Sequence, residues 1–152
     1  MADRRINIEK TQDEFIEKLR DTAEGIGPFD LKADVLAFAA SYGALLGRSS
    51  PLGETTKSPI RHDVFETKGY DNLFYILAVH KTGQADVLGA SDEARETRAR
   101  IFEEYAKAGL EQMARESQGA VDLTDYILSL VARHRPGRDS EDLAETTSLD
   151  LS

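Results

Sequence analysis

Glycine and proline divide this chain into segments in which apolar residues recur at the three- and four-residue spacing of an α-helix. The clearest segment runs from Asp30 to about Leu46, and Gly47 ends it as a left-handed cap residue would. Within it, Ala37, Ala39 and Ala40 are small enough to let a second helix approach closely. The pattern therefore predicts helices packed on helices as the main structure.

Capping residues indicate where other helices begin. Thr11 and Glu14 have the spacing of a capping box. Ser91 and Asp122 stand where N-cap residues are expected, because a short side chain there accepts a hydrogen bond from a free amide of the first turn. The segment 59–65 suits a short helix with its proline at the first helical position.

The segment from Tyr70 to Lys81 is the most apolar of the chain. It predicts a central, mostly buried helix, and a buried strand is the open alternative because short apolar runs suit both. The next helix is predicted to run from Ser91 to about Ser117, with a bend where Gly109 weakens it. Together the segments predict an all-α fold, a compact bundle of five to six helices.

The two ends of the chain depart from the helical pattern. Residues Arg4 to Ile8 alternate apolar and polar side chains, which leaves room for one short N-terminal β-strand. From Pro136 onward the chain is acidic and poor in large apolar groups, which predicts disorder. We therefore expect a single helical domain over residues 1–135 and an acidic disordered tail over residues 136–152.

Composition excludes several classes of function. The chain has no cysteine, so disulfides, thiolate metal sites and cysteine nucleophiles are absent. It shows neither a secretory signal nor the roughly 20 apolar residues of a membrane span, so we expect a cytoplasmic protein without a membrane partner. The net charge of −9 argues against sequence-independent binding of nucleic acid over the whole surface. The predicted tail carries −4 of that charge, so a local basic patch on the body stays open.

Residue spacing points to no catalytic constellation. His62, Asp63 and Glu66 could reach one metal ion from a short helix, which would suit a metal-dependent nuclease or hydrolase. A solvated polar helix face is the more common use of such residues. The chain has no phosphate-binding loop and no nucleophile elbow. We therefore predict no enzyme activity, no catalytic residue, no metal site and no cofactor.

Basic residues near the N-terminus and in the long loop before residue 62 are the candidates for nucleic-acid binding. A short strand followed by two helices is the order of ribbon-helix-helix proteins, in which paired strands of a dimer enter the major groove. Side chains on such a strand could contact phosphates or base edges, and a frayed basic terminus is the plainer interpretation. The predicted nucleic-acid-binding residues are Arg4, Arg5, Asn7, Arg48, Lys57 and Arg61.

Several short motifs follow one another in order through the body of the chain. They are Arg4-Arg5-Ile6, Gly27-Pro28-Phe29, Ala33–Ala40, Pro51-Leu52-Gly53, Pro59-Ile60-Arg61, Val64-Phe65, Gly69-Tyr70, Ile101–Ala106, Gly109-Leu110 and Gly119–Asp122. In this arrangement the chain resembles the family of DNA phosphorothioation-associated protein 4. The resemblance implies an accessory protein of a bacterial or archaeal system that puts sulfur into the DNA backbone, in which partner enzymes carry out the sulfur chemistry.

Three hypotheses about function follow, in order of preference. The first is a non-catalytic accessory component of a DNA phosphorothioation-dependent defence system, a form of restriction-modification. It would bind partner proteins of that system, with double-stranded DNA as a further candidate partner. The second is a ribbon-helix-helix-like DNA-binding regulator. The third is the metal-dependent nuclease or hydrolase. The oligomeric state stays open.

Overall fold

Six α-helices account for most of the described part of the protein. A computed structural model describes residues 4–21 and 27–136, and none of these residues forms a β-strand. The helices are α1 (Asp13–Lys18), α2 (Lys32–Leu45), α3 (His62–Thr67), α4 (Asp71–Thr82), α5 (Asp92–Glu116) and α6 (Leu123–Arg133), with 3-10 turns at Lys10–Gln12 and Ala85–Leu88. The all-α prediction is confirmed. Residues 137–152 of the predicted tail lie outside the described residues.

The two longest helices, α2 and α5, pack with their backbones in contact. A methyl group added at Gly109 of α5 would lie 1.9 Å from the carbonyl oxygen of Ala39 in α2. One added at Gly43 of α2 would lie 2.2 Å from the carbonyl oxygen of Tyr105 in α5. Thus α5 continues unbroken through Gly109, and the missing side chain there makes room for the neighbouring helix.

Three phenylalanine rings join the shorter helices to α5. Phe74 of α4 stacks on Phe102 of α5 with ring centroids 4.2 Å apart. Phe65 of α3 meets each of these rings edge-on at 5.4 Å. All three side chains are buried, so this cluster fixes α3 and α4 against the N-terminal half of α5.

Both predicted N-caps of the C-terminal helices are confirmed. The Ser91 hydroxyl accepts a hydrogen bond from the Ala94 amide at 3.1 Å, and the Asp122 carboxylate accepts one from the Thr124 amide at 2.8 Å. Gly47 and Gly83, which follow α2 and α4, have the left-handed backbone conformation expected of cap residues.

Two predicted helix starts are wrong. Thr11 lies inside the first 3-10 turn, and α1 begins two residues later without a side-chain cap. The reason is that the preceding Lys10 amide is bonded to the carbonyl of Glu54, which keeps this stretch tied to a distant segment. Likewise, α3 begins at His62 and not at Pro59, because Ile60 is held extended by hydrogen bonds to the N-terminal segment.

The apolar segment predicted to be a central helix does form helix α4, and the strand alternative is wrong. The prediction that it is mostly buried is also wrong. Phe74, Leu77 and Ala78 are buried, whereas Ile76 is 63% exposed. The helix packs mainly against α5 and the adjoining turn, so its remaining apolar residues face outward. No helix in the described ranges has both the length and the apolarity to cross a membrane.

The contact between α2 and α5 predicts an unusual effect of alanine at Gly109. In an ordinary helix interior, replacing glycine by alanine stabilises by about 1 kcal/mol. Here we expect Gly109→Ala to lower the free energy of unfolding by at least about 2 kcal/mol, because the added methyl overlaps backbone atoms of α2. Urea denaturation would measure the change. Adding Ala39→Gly should not restore stability, since the overlap is with backbone, and a stabilised Gly109→Ala protein would contradict the close packing.

Candidate nucleic-acid interface

The N-terminal segment, residues 4–10, runs antiparallel to residues 54–61, and we call this pair of segments the ribbon. The amide and carbonyl of Ile6 exchange hydrogen bonds of 2.7 and 2.9 Å with those of Ile60. A second isolated bridge joins the segments nearer to α1. The predicted N-terminal strand is therefore reduced to two bridges within one chain, without a continuous ladder.

Alternation along the extended N-terminal segment decides which side chains face inward. Ile6 and Ile8 are almost fully buried and belong to the hydrophobic core. Arg4 shares their phase and is directed toward α5, where its partners lie. Arg5 and Asn7 have the opposite phase, and Arg5 is exposed.

Arg4 fastens the ribbon to α5. Its guanidinium donates hydrogen bonds of 2.6 and 2.9 Å to the carboxylate of Glu103 and one of 2.6 Å to Glu96. Glu103 is buried, and its carboxylate also accepts a 2.6 Å hydrogen bond from the backbone amide of Asn7. The bonds with Glu103 raise the pKa of Arg4 above its usual range, and the bond from Arg4 lowers the pKa of Glu96. Thus the structure uses Arg4, a predicted nucleic-acid-binding residue, as a structural anchor.

Four other predicted residues lie on the two segments of the ribbon and have exposed or half-buried side chains, and we call these residues, Arg5, Asn7, Lys57 and Arg61, the outer face of the ribbon. Arg5 and Arg61 flank the paired isoleucines on opposite segments, while Asn7 and Lys57 lie between the two bridges. The exposed side chains of Arg5 and Lys57 make no polar contact with any described residue. Arg61 is paired with Asp63 at 2.5 Å, but both side chains are more than half exposed, so the pair contributes little.

Arg48 lies apart from this face. Its guanidinium donates a 2.6 Å hydrogen bond to Gln112, near the C-terminal end of α5, whereas Arg4 contacts Glu96 near the N-terminal end. Arg4 also contacts Glu103, so at a rise of about 1.5 Å per residue Gln112 lies roughly 14 Å along α5 from one Arg4 contact and roughly 24 Å from the other. The structure therefore brings together four of the six predicted residues, holds Arg4 inward beside them and separates Arg48.

The residues proposed for a metal site do not form one in the described part of the chain. The His62 ring nitrogen lies 3.5 Å from a Glu66 carboxylate oxygen, while Asp63 is turned to Arg61. The His62 ring also packs edge-on against Phe74, with centroids 4.9 Å apart. No group of three histidine or acidic side chains within residues 4–21 and 27–136 could share an ion. The metal-dependent alternative therefore lacks a site in these ranges.

The ribbon-helix-helix alternative requires a strand that is free to pair with a second protomer. In this protein one edge of the N-terminal segment is bonded to Ile60 through both polar groups of Ile6. On the opposite edge, the amide of Asn7 donates to Glu103. Because both edges are engaged within the chain, the segment cannot form the intermolecular ribbon without breaking these bonds.

A cavity beside the ribbon is the feature that the sequence analysis missed. It has a volume of about 850 Å³ and opens between the ribbon, α3, α4 and the first turns of α5. Its lining residues are Arg4, Arg5, Asn7, His62, Glu66, Asp71, Phe74, Tyr75, Asp92, Arg95, Glu96, Arg98 and Ala99. Arg98 has the same helical phase as Phe102 and Tyr105, and this spacing is the signal that could have placed it on the inner face of α5.

Arg4 and its neighbour Arg5 should respond differently to the same substitution. We expect Arg4→Gln to lower the free energy of unfolding by about 3–5 kcal/mol, because it leaves the buried Glu103 carboxylate without its ionic partner. Arg5→Gln removes an exposed charge without a carboxylate partner and should change stability by less than about 0.5 kcal/mol. Urea denaturation of both variants makes the comparison, and equal stabilities would show that Arg4 is not an anchor.

Comparison with known proteins relates this geometry to a family. A family model described as DNA sulphur modification system-associated protein 4 matches residues 5–150. No curated protein and no solved structure gives a match to the chain. The family match confirms the resemblance seen in the short motifs and associates the chain with DNA sulfur modification systems. Since the match spans almost the whole sequence, the chain belongs to the family of DNA sulphur modification system-associated protein 4.

Proposed function

We propose that this protein is a non-enzymatic accessory component of a DNA phosphorothioation-dependent defence system and that it acts by binding. Its partners are proteins of that system and double-stranded DNA, which contacts the outer face of the ribbon. The observation that carries the DNA contact is that pairing of the two segments brings three exposed cations, Arg5, Lys57 and Arg61, onto one ribbon. Two of these three cations have no carboxylate partner among the described residues.

In an acidic protein, a local group of exposed cations determines where DNA can approach the surface. With a net charge of −9, most of the surface repels phosphates, so contact with DNA requires a local excess of positive charge. Three phosphate contacts give an affinity that falls roughly 40-fold when salt rises from 50 to 200 mM. On the same face, the Asn7 side chain carries an amide, the group that can pair with the edge of adenine.

The absence of cysteine supports an accessory role. Transfer of sulfur to DNA through a protein requires a thiolate or a persulfide on the carrier, and this chain has no residue that can form either. Sulfur activation must then belong to other proteins of the system. Such a division of labour favours a chain that recruits or positions its partners.

A gel-shift titration tests the DNA contact, using matched plain and phosphorothioated duplexes at two salt concentrations. We expect Arg5→Gln combined with Lys57→Gln to weaken binding at least about tenfold and to reduce the salt slope by about two. These substitutions leave the Arg4 anchor intact, so folding should be preserved. The matched control is Lys18→Gln combined with Arg115→Gln, which removes the same charge from exposed positions on α1 and α5. Equal losses in both double variants would mean that net charge, and not this face, governs binding.

Protein partners are tested by co-expressing the tagged chain with the modification and restriction proteins of a DNA phosphorothioation system. Co-purification at a fixed ratio is the expected result. A complex without any DNA shift would retain the accessory role and remove the DNA contact from the proposal. If the chain bound neither DNA nor any of these proteins, the proposed function would be wrong.

A further inference from the structure

Arg98 of α5 is a buried cation without a carboxylate partner in the described structure. Its side chain is 7% exposed and lines the cavity beside the ribbon. One guanidinium nitrogen donates to the carbonyl oxygens of Val87 and Gly89, both at 2.7 Å. The guanidinium carbon lies 4.5 Å from the centre of the Tyr75 ring, in a cation–π contact.

These contacts orient Arg98 without neutralising it. A guanidinium has five N–H groups, and the two carbonyl bonds use one of its terminal nitrogens. The other terminal nitrogen and Nε donate to no acceptor within residues 4–21 and 27–136. No buried side-chain nitrogen in these ranges lacks a hydrogen-bond partner, so the nitrogens of Arg98 without an acceptor must reach solvent, and the cavity that Arg98 lines is where they do so. A positive group held in this way beside an open cavity is suited to an anion that enters from solvent.

The cavity offers a second cation next to the first. Arg95 precedes Arg98 by three residues, so the two side chains leave neighbouring points on the α5 surface. Arg95 lines the same cavity, is exposed and makes no polar side-chain contact with any described residue. Two guanidinium groups in this arrangement can both donate to one phosphate, which is a strong form of charge-assisted hydrogen bonding.

The cavity also contains carboxylates, and they restrict what the anion is attached to. Glu96 is neutralised by Arg4 at 2.6 Å, whereas Glu66, Asp71 and Asp92 also line the walls. A polyanion would be repelled by these groups. A ligand with one phosphate and several hydrogen-bond donors could bind the arginines through its phosphate and the carboxylates through its donors. The amino groups of nucleobases are such donors.

Size supports the same class of ligand. A cavity of about 850 Å³ is much larger than an inorganic phosphate and lies within the usual range of small-molecule sites. Tyr75 adds aromatic surface to the lining, whereas Phe74 is buried in the aromatic cluster. We infer that this cavity binds a phosphate ester of nucleotide size, with Arg98 and Arg95 holding the phosphate. The site goes beyond the proposed function. Arg5 and Asn7 of the outer face also line the cavity, whereas Arg95 and Arg98 do not belong to the outer face of the ribbon.

Isothermal titration calorimetry of the full chain with deoxyadenosine 5′-monophosphate tests this inference. We expect measurable binding that inorganic phosphate displaces, and binding of deoxyadenosine that is at least about tenfold weaker because it lacks the charged group. Arg95→Gln should weaken monophosphate binding at least about tenfold, while its exposure protects the fold. Arg115→Gln is the matched control, since it removes the same charge at the far end of the same helix and should bind like the unmodified protein.

Arg98→Lys provides a second variant that keeps the positive charge and removes the planar fork. It should also weaken binding at least about tenfold, and thermal unfolding shows whether this variant is folded. If Arg98→Lys does not fold, Arg95→Gln alone decides. Equal affinities for deoxyadenosine and its monophosphate would overturn the inference, as would an unchanged affinity in Arg95→Gln. Absence of binding up to about 10 mM, ten times the Kd of a weak millimolar complex, would also overturn it.

Discussion

Direct backbone contact between α2 and α5 is the constraint on which the rest of the structure depends. It exists only because Gly43 and Gly109 lack side chains at the two points where the helices meet. Once α2 lies in this position, α5 is supported along its length and can present different faces to different neighbours. Phe102 of α5 completes the aromatic cluster, and Glu103 of α5 accepts hydrogen bonds from Arg4 of the ribbon. The same helix therefore organises the core, the anchor of the N-terminal segment and the wall of the cavity.

The ribbon places two cations that are adjacent in sequence in different environments and so gives them different roles. Extended backbone directs successive side chains to opposite faces, so Arg4 turns toward α5 while Arg5 turns to solvent. Burial makes the first charge dependent on Glu103 for compensation, whereas water compensates the second. Ion pairing therefore differs from one cation to the next: carboxylates of α5 compensate Arg4, whereas Arg5 and Lys57 have no carboxylate partner among the described residues.

Local sequence signals predicted the helices well, but they could not predict contacts between distant segments. Ser91 was identifiable because an N-cap acts within one turn of its own helix. The failure at Pro59 has a different cause, since Ile60 pairs with Ile6 more than fifty positions earlier, and no local pattern records that pairing. Exposure of Ile76 was equally hidden, because hydrophobicity shows which residues favour burial but not which faces of a helix find a partner.

The sequence predicts which residues belong to the candidate interface, but it does not predict where they lie relative to one another. Charge alone selected the basic residues of the N-terminus and the loop, but pairing of the two segments was needed to gather Arg5, Lys57 and Arg61 and to set Arg48 apart. Arg98 was overlooked because an arginine on a helix is usually solvated, although its phase is that of the buried residues. Exposed cations on the ribbon are screened by salt over about 10 Å at 0.1 M, whereas a guanidinium inside a cavity is screened much less. The exposed cations of the ribbon and the buried Arg98 thus attract an anion by physically different means, and ionic strength should weaken binding at the ribbon more than binding at Arg98.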